Sequence, residues 1–247
     1  MNTARRIALV ADVTSYVGPD LAREFARRGH DLVVGGASES FTQELRHLGA
    51  AVEVVPLERK ALDAHAAEKL VAAGIARFGR LDAAVAFPGN IVSGKFMTSS
   101  LEDLQKIVVS CFEAPFHFLK AVAAPMVTQA SGQIVLITSA SGARPTPGAA
   151  LYSSVRAGAS MMAKNLAMEI AASGVQVNAL GTNFMDFAEF HAANGTNDPA
   201  RRARLEEMVP MKRMGTLGEF AAFAMAFLDG SSGFTTGQFV SYAGGWA

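Results

Sequence analysis

The sequence predicts a doubly wound α/β fold, a single parallel sheet with helices on both faces. Short apolar runs of strand length recur along the chain. Amphipathic stretches of helical length separate them. Strand alternating with helix requires crossover connections, and these build a parallel sheet covered on both sides.

The strand candidates, in order, are Ile7–Ala11, Asp31–Val34, Val52–Val55, Ala83–Phe87, Ile134–Thr138, Val175–Leu180 and Phe239–Tyr242. Their near-continuous hydrophobicity suits strands buried on both faces. The first helix shows Leu21, Phe25 and Ala26 on one face, then Arg27, Arg28 and a C-capping Gly29. Leu101–Met126 and Leu151–Ser173 read as two longer helices, the second closed by Gly174. Residues 192–199 read as a loop inserted between the sixth strand and the last helix. The sequence contains no internal repeat, low-complexity tract or linker, so residues 1–247 are expected to form one domain.

Half of the residues are hydrophobic and 18% are charged, enough for a large core. The 22 basic and 22 acidic side chains cancel, leaving no electrostatic footprint for nucleic acid. One cysteine excludes a disulfide scaffold and a thiolate zinc site, and fits a reducing compartment. Five histidines (30, 47, 65, 117 and 191) lack ligand spacing, so no metal site is expected. No uninterrupted apolar run reaches about 18 residues, so no membrane span is expected. Asp12 interrupts the apolar stretch near the N-terminus, which argues against a signal peptide. These features predict a cytoplasmic protein acting on a small molecule.

Ligands of such sheets bind beyond the carboxyl ends of the strands. Those ends fall near residues 11–18, 35–38, 86–94, 138–146 and 181–190. Ser139 closes the fifth strand, Tyr152 follows thirteen positions later at a helix start, and Arg156 lies four further on. The i,i+4 spacing brings guanidinium and phenol onto one helix face. A nearby cation favours the phenolate, making Tyr152 a candidate general base. Ser139 is placed to hold the substrate oxygen. Tyr-x-x-x-Arg alone reads as an ordinary amphipathic contact. The serine spacing and the position in the fold favour the catalytic reading.

With these residues in view, the chain resembles the short-chain dehydrogenase/reductase superfamily from end to end. ITSASGARPTPGAALYSSVRAGA matches its Ser…Tyr-x-x-x-Lys segment, with arginine in place of lysine. GVQVNALGTNF and FTTGQFVSYAGGW match later landmarks. The cofactor landmarks differ. The superfamily's Thr-Gly-x-x-x-Gly-x-Gly turn reads Ala11-Asp12-Val13-Thr14-Ser15-Tyr16-Val17-Gly18. Gly35-Gly36-Ala37-Ser38 offers neither an acidic residue for a ribose nor an arginine for a 2′-phosphate. Asn-Asn-Ala-Gly becomes Ala86-Phe87-Pro88-Gly89, Cys111 stands where a central-helix asparagine is expected, and Thr182-Asn183 replaces Pro-Gly.

These departures resemble the halohydrin dehalogenases, a branch without a nicotinamide cofactor. Ser139, Tyr152 and Arg156 meet their Ser-x12-Tyr-x3-Arg signature, and Tyr16 and Gly18 meet part of Thr-x4-Phe/Tyr-x-Gly. GTNFMDFAEF, IVSGKF and the terminal GGW are most similar to the G-type subfamily, which takes bulky cyclic epoxides. The resemblance implies conversion of vicinal halo-alcohols to epoxides with halide release, and the reverse opening by small anions, with no cofactor. It implies a halide or nucleophile site at Tyr16, Thr182, Asn183, Phe184 and Met185, and a substrate pocket at Phe87, Ala140, Ser141, Thr146 and Ala149. It also implies a homotetramer built on the two long helices, with the C-terminal GGWA near a neighbour's active site. Two alternatives stay open: a divergent NAD(P)-dependent oxidoreductase with the same serine and tyrosine, and a non-enzymatic scaffold of the same fold.

Overall fold

A computed structural model describes residues 5–57, 62–89, 91 and 93–247. Residues 90 and 92, within the third expected strand end, lie outside the described residues. Every strand expected from the sequence is present: β1 (Ile7–Val10), β2 (Asp31–Gly35), β3 (Val52–Val55), β4 (Ala83–Ala86), β5 (Gly132–Ser139), β6 (Val175–Thr182) and, last in the chain, β9 (Phe239–Tyr242). They form one parallel sheet in the order β3-β2-β1-β4-β5-β6-β9. Strand order reverses between β1 and β4, which opens a crevice at their carboxyl ends.

Alternation along each strand sends side chains to two separate cores. Ala8 and Val10 join Leu21 and Phe25 of α1 (Gly18–Arg27) and Phe220 of α9 (Leu217–Ala224). Ile7 and Leu9 face the other way, toward Leu70 of α3 (Ala64–Phe78), Phe118 of α5 (Ala114–Thr128) and Ala159 of α6 (Ala150–Ile170). The α6 positions Ala159, Ala163 and Ala167 have no bulk to hold the helix off the sheet. The same buried face carries Tyr152 and Arg156, so close packing of α6 also fixes those two groups. The remaining helix of this half, α2 (Glu39–His47), connects β2 and β3.

Two sequence expectations need correction. The helix expected over Leu101–Met126 is interrupted: α4 (Leu101–Val108) and α5 flank one π turn, Val109–Glu113. Pro115 has no N–H to give the preceding turn, and its ring crowds that turn's carbonyl, so a regular α-helix cannot run through it. The whole stretch Leu101–Thr128 is long and apolar enough to cross a membrane by length and composition alone, although charged residues such as Glu113 and Lys120 interrupt it. Its residues Phe118, Leu119, Val122 and Met126 are instead buried against the sheet and its helices. The loop expected over 192–199 is shorter than that: α7 (Ala188–Asn194) and α8 (Pro199–Glu207) close in from both sides.

The segment between β6 and α9 also contains a two-residue parallel pair, β7 (Met185–Asp186) with β8 (Gly215–Thr216). Helix α9 starts with a capping box, in which Glu219 N–H donates to Thr216 Oγ1 and Thr216 N–H donates to Glu219 Oε2. Both Arg213 amino groups also donate to Glu219. Arg213 first, and then Thr216, hold the Glu219 carboxyl at about 2, against an ordinary value of 4.5. The folded value is depressed, so the stabilisation is complete above pH 4.5 and lost as pH falls toward 2. Glu219→Gln is expected to lower the unfolding free energy from urea titration at pH 7 by no more than about 1 kcal/mol, because the pair is solvent-screened. The difference from the parent should vanish near pH 2.

Candidate active site

Parallel pairing places Ser139 and Thr182 side by side as the last residues of β5 and β6. Ser139 Oγ accepts the Ser141 N–H at 3.2 Å, shares a 2.8 Å hydrogen bond with Ser141 Oγ, and donates to the Thr182 carbonyl at 3.4 Å. These contacts fix the rotamer of a buried hydroxyl. Tyr152 enters on the first turn of α6, and its neighbour one turn later is Arg156; both are buried. The guanidinium carbon lies 5.2 Å from the Tyr152 ring centroid.

Arg156 Nη1 donates to the Pro88 carbonyl at 2.7 Å, while its Nε has no hydrogen-bond partner. Burial works against this cation, but Tyr152 and Cys111 outweigh it and keep the guanidinium above its ordinary pKa. Gly89 makes room for it. A Cβ at that position would meet Cys111 Sγ at 2.5 Å and Arg156 Nη2 at 2.7 Å, and φ is +125°. Cys111 sits in the π turn and packs with Ile107 and Tyr152.

The first turn is occupied by its own side chains. Asp12 Oδ1 accepts both the Thr14 N–H and the Thr14 hydroxyl at 2.6 Å, and Oδ2 accepts the Ser15 hydroxyl at 3.4 Å. Gly18, the one retained glycine of the turn, is required: a Cβ there would lie 2.0 Å from the Asp12 carbonyl oxygen. Tyr16 adopts φ +50°, a left-handed conformation costly for a side chain of this size. Its hydroxyl donates to Thr182 Oγ1 at 2.8 Å. Its ring packs on Phe87 at 5.6 Å and Phe187 at 4.9 Å. Burial pushes its phenol pKa up, and the hydrogen bond to Thr182 only partly offsets that.

Two sets of contacts result: Ser139 with Ser141 and Thr182, extended by Tyr16 to Phe87, and Tyr152 with Arg156, which reaches the Pro88 carbonyl next to Phe87. Ala149 packs near Tyr152, and Thr146 donates weakly to the Ser141 and Arg144 carbonyls. Asn183, Phe184 and Met185, just beyond Thr182 in the chain, line a cavity of about 310 Å³ with Arg213, Tyr242 and Gly244. Among the described residues, no three His, Cys, Asp or Glu side chains cluster as metal ligands.

Sequence reasoning missed the Pro88 carbonyl, a backbone acceptor with no signature. The run 184–191, with three phenylalanines, suggests from sequence an apolar wall or an interface helix, and Phe187 packs on Tyr16. Trp246 packs within its own chain, 4.6 Å from the Arg144 guanidinium carbon and 5.4 Å from Phe184, and Arg144 Nη1 donates to the Trp246 carbonyl at 2.6 Å.

A buried serine, tyrosine and guanidinium at the carboxyl edge of a doubly wound sheet define a short-chain dehydrogenase/reductase-type centre. The chain belongs to that superfamily: a family model described as enoyl-(acyl carrier protein) reductase matches residues 13–247. It is 28% identical over 247 residues to the 3-oxoacyl-[acyl-carrier-protein] reductase FabG of Chlamydia muridarum, covering 98% of this chain and 97% of the relative. It is also 28% identical over 248 residues to the 2,5-dichloro-2,5-cyclohexadiene-1,4-diol dehydrogenase LinX of Sphingobium indicum, covering 99% and 97%. The solved structure of ElxO with NADP bound superposes with a TM-score of 0.87 at 20% identity, covering 98% of this chain and 99% of that one, a likeness of fold.

These relatives correct the functional expectation. Proteins similar to this chain over its whole length are named as reductases and a dehydrogenase, which overturns the cofactor-independent halohydrin dehalogenase, a lyase, in favour of the oxidoreductase alternative. The altered first turn and Arg156 are real features of the site. They describe how the crevice is filled, and a filled crevice does not by itself name a reaction.

The superfamily implies a nicotinamide dinucleotide, and the described geometry does not admit one in the usual way. Asp12 takes the Thr14 N–H of the turn and adds negative charge where a pyrophosphate would approach. Tyr16 bridges the crevice to Thr182. At the end of β2, Ser38 caps α2 by accepting the Phe41 N–H.

Proposed function

We propose that this chain is an oxidoreductase of the short-chain dehydrogenase/reductase type that interconverts a hydroxyl and a carbonyl on an apolar small molecule. The burial of Ser139, which closes β5, and of Tyr152 and Arg156, one turn apart on α6, carries this reading. The relatives support the class of reaction.

The chain's own residues account for the proton half of that reaction. The substrate oxygen is held by the Ser139 hydroxyl, whose orientation is set by the Ser141 N–H. Tyr152 then exchanges a proton with that oxygen, as general acid in reduction and general base in oxidation. Arg156 is a permanent cation against the ring and offsets the negative charge left on the phenolic oxygen. Ala140, Ala149 and Phe87 give the surrounding walls an apolar character. The other half, a hydride equivalent, would be supplied by a nicotinamide dinucleotide, which could enter only when Tyr16 releases Thr182.

Incubation with NADH or NADPH and a panel of ketones, followed by product analysis, tests the reading. Alcohol formation that depends on Tyr152 supports it. Absence of alcohol from every ketone, with either nucleotide, would sink it.

Two further elements belong to the proposal. Val109, Phe112, Phe116, Met161 and Met168 are exposed on the α5 and α6 side, the surface on which a homotetramer would be built. A cytoplasmic location rests on the single, buried cysteine.

A further inference from the structure

The segment after β6 carries a side-chain network that the proton chemistry does not use. Asp186 Oδ1 accepts from His191 Nε2 at 2.7 Å, and Asp186 Oδ2 accepts from Arg202 at 2.6 Å. His191 Nδ1 shares a 2.8 Å hydrogen bond with Thr196 Oγ1, and Thr196 is buried. Arg202 Nε continues to Glu206 at 2.9 Å. His191 thus ties β7 and α7 to the turn at Gly195, and Arg202 adds α8 through Asp186.

Met185, Leu205, Val209 and Met214 anchor the ends of this segment by burial, and the Thr196 N–H donates to the His191 carbonyl, but α7 between them has fewer ties. None of the α7 residues is buried, and the helix has no side-chain cap. The β7–β8 pairing spans two residues. Phe184 is strained, with φ +51°. Strain of this kind persists only where the surroundings impose it.

The segment also presents a row of rings across the site. Phe187 lies 4.9 Å from Tyr16, Phe190 lies 6.0 Å from Phe187 and 6.4 Å from Phe184, and Phe184 lies 5.4 Å from Trp246. The row begins at Tyr16, which is hydrogen-bonded to Thr182 beside Ser139, and ends at the C-terminus. Its rings come from residues immediately before and within the latched helix.

We propose that His191 is a positioning residue: by joining Asp186 and Thr196 it fixes the Phe184, Phe187 and Phe190 wall and so sets which substrates fit. The substrates favoured are compact, ring-shaped and apolar, because the edge-to-face and tilted rings give a fixed apolar wall with little room for a long flexible chain. This proposal rests on the oxidoreductase reading for its substrates, but the latch itself does not.

The experiment compares the parent with His191→Phe, His191→Gln and Thr196→Val by hydrogen–deuterium exchange and by kinetics on a cyclic and a small acyclic ketone. In His191→Phe and Thr196→Val, exchange over 187–198 should accelerate roughly tenfold or more while the sheet stays protected. The kcat/KM ratio of cyclic over acyclic ketone should fall roughly fivefold or more, chiefly through KM of the cyclic substrate. His191→Gln, which keeps a donor for Asp186, should recover part of both effects. Parent-like exchange in both His191→Phe and Thr196→Val would overturn the latch, and an unchanged ratio with faster exchange would overturn its role in specificity. If the parent reduces no ketone, the oxidoreductase reading fails and exchange alone decides the latch. Thr196→Val keeps the Asp186–His191 contact, so it guards against a His191→Phe protein that does not fold.

Discussion

Tyr152→Phe is expected to lower kcat by about 10²–10⁴-fold, the usual span for removing a positioned general acid or base. KM should change little, because the ring that shapes the pocket remains. The fold should survive. Phenylalanine keeps the apolar contacts with Ile107 and Cys111, and the Arg156 guanidinium keeps its hydrogen bond to the Pro88 carbonyl. The guanidinium lies 5.2 Å from the ring centroid, and phenylalanine keeps that ring, so little stability should be lost. Thermal unfolding separates the two effects: a folded, inactive variant supports the assignment. A variant with parental kcat would move the proton transfer to another group.

The sheet was legible in the sequence because its inner strands, buried on both faces, must be largely apolar, and all seven runs became its strands, with the half-buried β3 and β9 at the edges. Ser139, Tyr152 and Arg156 were legible because their spacing is local: a strand end, then two residues one helical turn apart. The break in the long helix was not found, although Pro115 stood in plain view. An apolar helix tolerates a π turn without any change in its hydrophobic pattern. The placement of Asn183, Phe184 and Met185 was also beyond the pattern. After β6 the chain turns through a left-handed Phe184, and the path of a loop depends on contacts distant in sequence. The His191 network illustrates the same point. Asp186, His191, Thr196 and Arg202 have no metal or catalytic spacing, and only the turn at Gly195 brings them together.

Tyr16→Gly is expected to raise affinity for NADPH or NADH by roughly 30- to 1000-fold over the parent, measured by calorimetry or by quenching of the nucleotide's fluorescence. The figure follows from what a dinucleotide must displace. The Tyr16–Thr182 hydrogen bond is worth about 1 kcal/mol net. The contacts with Phe87 and Phe187 add about 0.5–1.5 kcal/mol each. Opening the crevice then costs about 2–4 kcal/mol, and the apparent affinity of the parent is reduced by the corresponding fraction of open molecules. Glycine removes the ring and suits the φ of +50° that tyrosine adopts at a cost. That relief offsets part of the packing lost. Asp12→Gly, added to Tyr16→Gly, should tighten binding again by returning the Thr14 N–H to the turn. A parent that already binds as tightly as the double variant would show that the ring leaves its place at no cost. In that case neither the hydrogen bond nor the ring packing guards the crevice.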